Sequence, residues 1–90
     1  MLLINRNAMQ PFYINNNIQV YCTSSGNLVT HAPEEYEVRN LGNELTININ
    51  GDIVAIYVRR PLRRTRHFEI CIDAPKHISI LRHDAIKRTA

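Results

Sequence analysis

The sequence predicts a mainly β chain, a small antiparallel-sheet domain with a short C-terminal helix. Three observations predict it. Apolar residues recur with a period of two in several short runs, as in Leu45, Ile47 and Ile49 or Phe68, Ile70 and Ile72, the spacing that places one strand face on a core. Asn-rich and Gly-containing clusters punctuate those runs, among them Asn50-Gly51 between two alternating segments, a strong hairpin signal. Only Arg82 to Arg88 at the end of the chain loses the period of two and reads as helical.

In chain order, Met1 to Arg6 is expected as a strand, with Leu2, Ile4 and Arg6 on one face, Leu3 and Asn5 on the other, and Arg6 at an exposed end. Residues 7 to 11 connect it to a short strand, Phe12 to Ile14, closed by Asn15-Asn16-Asn17, residues that tolerate left-handed turn conformations. Ile18 to Cys22 is a further strand. From Thr23 to Glu35 the pattern fails, so Ser24-Ser25-Gly26-Asn27 reads as a turn and His31 to Glu35 as a loop. Tyr36 to Arg39 is expected as a strand, Leu41-Gly42-Asn43 as a turn, and Leu45 to Ile49 with Ile53 to Val58 as a hairpin.

Residues 59 to 67 then lead to the Phe68 to Ile72 strand. Asp73-Ala74-Pro75 interrupts it, because proline lacks an amide donor and restricts the residue before it. A last strand is expected from Ile78 to Leu81, with Arg82 at the mouth of the helix. Arg6-Asn7, Phe12 to Asn15 and Ile18 echo Arg39-Asn40, Leu45 to Asn48 and Ile53 at a spacing of 33 to 35 residues, a partial internal repeat.

Ninety residues bound the chain to one domain with a small core, a size at which association of copies often supplies missing partner surface. Leu2, Ile4, Ile70, Ile72, Ile78 and Ile80 exceed what one subunit is expected to cover, so an interleaved homodimer is predicted. The net charge is +3, yet residues 1 to 33 carry only Arg6 as a charged side chain while five arginines fall between Arg59 and Arg66. Such a run suits a polyanion, and equally a solvated loop. Cys22 and Cys71 sit far apart inside expected strands with no leader before them, which predicts buried thiols in a reducing cytoplasm. No run reaches the roughly 18 apolar residues of a membrane-spanning helix.

Catalysis finds little support. The eight acids form no paired motif, and Ser24 and Ser25 lack a partner pattern. The four histidines and two cysteines lack metal-ligand spacing, and three glycines make no phosphate loop. A non-enzyme without cofactor or metal is expected.

Ile72-Asp73-Ala74-Pro75-Lys76-His77-Ile78-Ser79-Ile80-Leu81-Arg82-His83-Asp84-Ala85-Ile86 resembles the carbon storage regulator family (CsrA/RsmA), small bacterial proteins that bind messenger RNA leaders and control translation. Met1-Leu2-Leu3-Ile4-Asn5-Arg6 resembles that family's first strand. The resemblance covers about the first 22 and last 40 residues, and the chain is longer than that family by an insertion of about 30 residues. Either residues 7 to 22 or residues 44 to 58 supply the family's hairpin. The reading adopted takes 44 to 58 and treats 7 to 43 as an elaboration.

The resemblance implies a strand-interleaved dimer. It also implies a site for Gly-Gly-Ala loops of messenger leaders or regulatory small RNAs, where the first strand of one subunit meets the last of the other. Carried over, the RNA-binding residues are Ile4, Asn5 and Arg6 with Ala74, Pro75, Lys76, Ile78, Leu81 and Arg82. Asn7, Glu69 and Leu81 depart from the family's basic or histidine residues, and Arg59, Arg60, Arg63, Arg64 and Arg66 are expected as an auxiliary RNA surface. The alternative is a relative of that family serving as a protein-interaction module or antagonist through residues 7 to 43.

Overall fold

The computed structural model describes residues 1–32, 34–59 and 67–82. Among these residues nine strands form two antiparallel sheets whose inner faces share one core. The strands are β1 (Leu2–Asn7), β2 (Phe12–Ile14), β3 (Ile18–Cys22), β4 (Leu28–His31), β5 (Glu37–Asn40), β6 (Glu44–Ile49), β7 (Asp52–Arg59), β8 (His67–Asp73) and β9 (Ile80–Arg82). The larger sheet runs β1-β8-β7-β6-β5 and the smaller β4-β3-β2-β9. No helix among the described residues is long and apolar enough to cross a membrane.

The alternation seen in the sequence is what packs the layers. Leu45, Ile47, Ile49, Val54, Ile56, Ile70 and Ile72 from the larger sheet meet Phe12, Ile14, Ile18, Val20, Cys22 and Leu28 from the smaller, all buried. Removing each aliphatic side chain from water contributes about 1.5–3 kcal/mol. Asn50 and Gly51 have φ of 52° and 96° and close the β6–β7 hairpin as a two-residue turn between Ile49 and Asp52. Both angles lie in the region such turns require. Asn15 and Asn16, at 53° and 65°, turn β2 into β3. The partial repeat therefore yields one hairpin in each sheet.

Several expectations are corrected. β4 occupies part of the stretch expected as turn and loop: Leu28 and Thr30 pair with Cys22 and Val20 on the inward side, while Val29 and His31 face outward. The last strand starts at Ile80 rather than Ile78, because the Ile78 amide bonds the Pro75 carbonyl at 3.0 Å and closes a turn. Arg82 ends that strand, and the remainder of the expected helix lies outside the described residues. Arg6 is buried, 5 % exposed, rather than at an exposed end, because the second sheet covers the inward face it shares with Ile4.

The elaboration is integral to the fold. Residues 7 to 43 supply β2, β3 and β4 of the smaller sheet and edge strand β5 of the larger. That second layer overturns the premise for interleaving, since one chain already buries Ile70, Ile72 and Ile78 and partly buries Ile4 and Ile80. Leu2 alone of the six stays exposed, at 43 %. Cys22 and Cys71 are free and buried as expected.

Candidate nucleic-acid interface

Among the described residues β1 bonds only to β8 and β9 only to β2, so each presents to them an open row of backbone donors and acceptors. The two open edges adjoin. Leu2, Leu3, Ile4, Asn5, Ile80 and Arg82 line one cleft between them, and Met1, Leu2, Ile72, Ala74, Pro75, Lys76, Ile78 and Ile80 line a second. Leu2 and Ile80 line both, so the two clefts adjoin and together form the groove along the β1 and β9 edges, from the Ala74-Pro75 bend to the end of β9.

The 74–79 loop that forms one end of this groove is held at both flanks. The Asn15 amide bonds the Ser79 carbonyl at 2.9 Å and the Ser79 amide bonds Asn15 Oδ1 at 3.1 Å, tying the loop to the β2–β3 turn. On its other side His77 Nε2 lies 2.7 Å from Asp52 Oδ2 at the start of β7. Lys76 and Arg82 are exposed on the groove lining, and no acid among the described residues shares it. Its character is therefore cationic, with an aliphatic floor.

Seven of the nine sequence-predicted residues meet here: Ile4, Asn5, Ala74, Pro75, Lys76, Ile78 and Arg82. Two do not. Arg6 is interior, opposite Phe68. Leu81 pairs with Tyr13, one position out of phase with Ile80 and Arg82, and so projects from the other face of the smaller sheet. Ile78 is 7 % exposed and belongs as much to the core as to the groove. Leu2 and Ile80 were missed as lining residues, although their phase with Ile4 and Arg82 was a usable signal.

Of the auxiliary arginines, Arg60, Arg63, Arg64 and Arg66 lie outside the described residues. Arg59 Nη1 pairs with Glu69 Oε1 at 2.8 Å, so Glu69, read as a departure from a basic residue, has its charge offset on the outer face. Beside it in the same sheet, Tyr57 lies directly across from Cys71, and interaction with that thiol raises the tyrosine hydroxyl's pKa above its ordinary value. Burial likewise raises the pKa of Cys22. Among the described residues no three His, Cys, Asp or Glu side chains converge on a possible metal position.

No protein-family model matches the chain, and neither does any curated protein or solved structure.

Proposed function

We propose that the chain is an RNA-binding post-transcriptional regulator of the carbon storage regulator type, an atypical member that takes Gly-Gly-Ala loops of messenger leaders or small RNAs in the β1/β9 groove. The observation that carries this reading is the convergence of Ile4, Asn5, Ala74, Pro75, Lys76 and Arg82, from the two segments of the resemblance, on one cationic groove between open sheet edges. Unstacked RNA loops present base edges and a phosphate chain, which such edges and cations complement. Arg82 supplies a fork of donors for a guanine edge or a phosphate. Lys76 supplies a second cation for the backbone. The protein acts as a bound cap on the transcript in the cytoplasm and not as an enzyme.

On this reading two copies form the working unit. Exchange of β1 between them preserves the register from Leu2↔Ile72 to Asn7↔His67 and needs only that the 8–11 connection extend. Each groove then combines β1 of one copy with β9 of the other. Sedimentation at micromolar concentration is expected to read about 21 kDa, twice the chain mass of 10.4 kDa.

The test is a titration of the protein and its Arg82→Ala variant with a hairpin displaying Gly-Gly-Ala and with a scrambled loop. Because Arg82 is exposed, the variant is expected to melt within a few degrees of the parent. It is expected to lose about 1–3 kcal/mol of affinity for Gly-Gly-Ala and little for the scramble. A parent that does not distinguish the two loops contradicts the proposal.

A further inference from the structure

The sandwich has a second open seam, on the side away from β1 and β9. There β4, the other edge of the smaller sheet, faces β5, the other edge of the larger. The cleft between them is floored by Ile18 and Ile47, both essentially inaccessible, and walled by Thr30, Tyr36 and Val38. Its lip carries Glu34 and Glu35, both exposed, and no cation among the described residues lines it. Three of the chain's eight acids fall within residues 34 to 37.

Backbone directions sharpen what this seam offers. In an antiparallel ladder, successive residues point their amide and carbonyl to opposite sides of the strand. The Leu28 amide bonds the Gly42 carbonyl at 2.7 Å, and the Leu28 carbonyl accepts from Asn40 Nδ2 at 3.0 Å. Leu28 therefore points away from β3, and Thr30, two residues on, presents its amide and carbonyl to the same open side. Across the cleft, the Leu41 amide bonds the Glu44 carbonyl at 2.8 Å, which fixes the residues of β5 that face β6 as Arg39 and Glu37. Val38 accordingly turns its own amide and carbonyl into the seam. Beyond the Leu28 contacts, no backbone bond among the described residues bridges the two edges. The Thr30 hydroxyl is also buried with no hydrogen-bond partner among them.

We infer that the β4/β5 seam is a binding site for an extended cationic segment of a partner protein, one in which basic and aliphatic side chains alternate. Added as a strand, its backbone would satisfy Thr30 and Val38. Its aliphatic face would lie against Tyr36 and the exposed Val38, and its basic residues would meet Glu34 and Glu35. Main-chain bonds give such strand addition its affinity, and side chains its selectivity. The inference does not depend on RNA binding at the opposite groove, because the two seams share no lining residue.

The test uses an acetylated, fluorescein-labelled hexapeptide of alternating arginine and valine against the full chain, with fluorescence anisotropy as the readout. Saturable binding is expected. A Glu34→Gln, Glu35→Gln double variant keeps the acceptor that Glu34 gives the Tyr36 hydroxyl, so it is expected to fold as the parent does. It should bind the peptide roughly 2- to 30-fold more weakly, the sum of two exposed charge pairs. N-methylation of alternate peptide amides is expected to abolish binding, and the glutamate–valine counterpart should not bind. Unchanged affinity in the double variant, or an N-methylated peptide that binds as well as its parent, overturns the inference. Concentration-dependent self-association that the double variant loses makes a second copy the occupant, and likewise overturns the partner assignment.

Discussion

The β1/β9 groove and the β4/β5 seam are both gaps between two open sheet edges over an aliphatic floor, yet they differ in charge and in how far the chain closes them. Lys76 and Arg82 line the first, Glu34 and Glu35 the second. The first is bordered by a loop fixed to neighbouring turns through Asn15 and Asp52. The second is partly bridged by the contacts of Leu28 with Gly42 and Asn40. One fold thus presents a cationic edge pair suited to a phosphate chain and an acidic one unsuited to it. The difference teaches that sheet edges alone do not select a ligand; the few charged residues on their lips do.

The floors of the two seams differ most in what they cost to disturb. Ile47 is fully buried beneath the acidic seam, whereas Leu2 is 43 % exposed at the cationic groove. Ile47→Ala is expected to cost about 2–5 kcal/mol through lost contacts and an unfilled cavity. Leu2→Ala is expected to stay under about 1 kcal/mol. Urea unfolding of both variants checks this, and equal losses would mean that Leu2 is covered in solution by surface beyond its β1 register.

Charge gives a smaller and separate handle. Replacing Arg59, Arg60, Arg63 and Arg64 with alanine is expected to lower the salt slope of RNA binding by about 0.7 for each phosphate contact removed, with no change in loop preference. Arg59 is expected to contribute least of the four, since Glu69 already pairs with it. Affinity measured across a salt series reads this directly, and an unchanged slope makes the run a bystander to binding.

Much of this was legible in the sequence, for physical reasons that also mark the limits. Phe12-Tyr13-Ile14 and Ile18 to Cys22 alternate cleanly around three asparagines, and those strands fall where expected. β4 was not legible because its inward Thr30 is polar and its outward Val29 apolar, which erases the period of two. Ile78 and Ile80 read as one strand since both are sequestered, but the Ile78 amide is spent on the turn to Pro75. The inward phase of Arg6 was readable from Leu2 and Ile4. Its burial was not, because that depends on a second sheet contributed by residues far along the chain. For the same reason the matched segments indicated which residues belong to one groove, but not that a single chain brings them together.

The smallest effect expected is on the thiols. Cys22 has its pKa raised by burial, so folding favours the neutral thiol over the thiolate. The stabilisation is fully present below the unfolded value, near 9.0, and is lost as pH rises through the higher folded value. Stability is therefore expected to decline from about pH 9 upward. Chemical denaturation between neutral and alkaline pH, compared with Cys22→Ala at each pH, isolates the term, and a decline of equal size in the variant would assign it to other groups.

The most direct measurement is a two-dimensional amide NMR titration of the labelled chain with the Gly-Gly-Ala hairpin. The amides of Leu2 to Asn5, of Ala74 to Lys76 without the proline, and of Ile80 to Arg82 are expected to shift in a saturable manner, while those of Thr30 and Val38 hold their positions. Shifts centred on Thr30 and Val38, or none along β1 and β9, would contradict it.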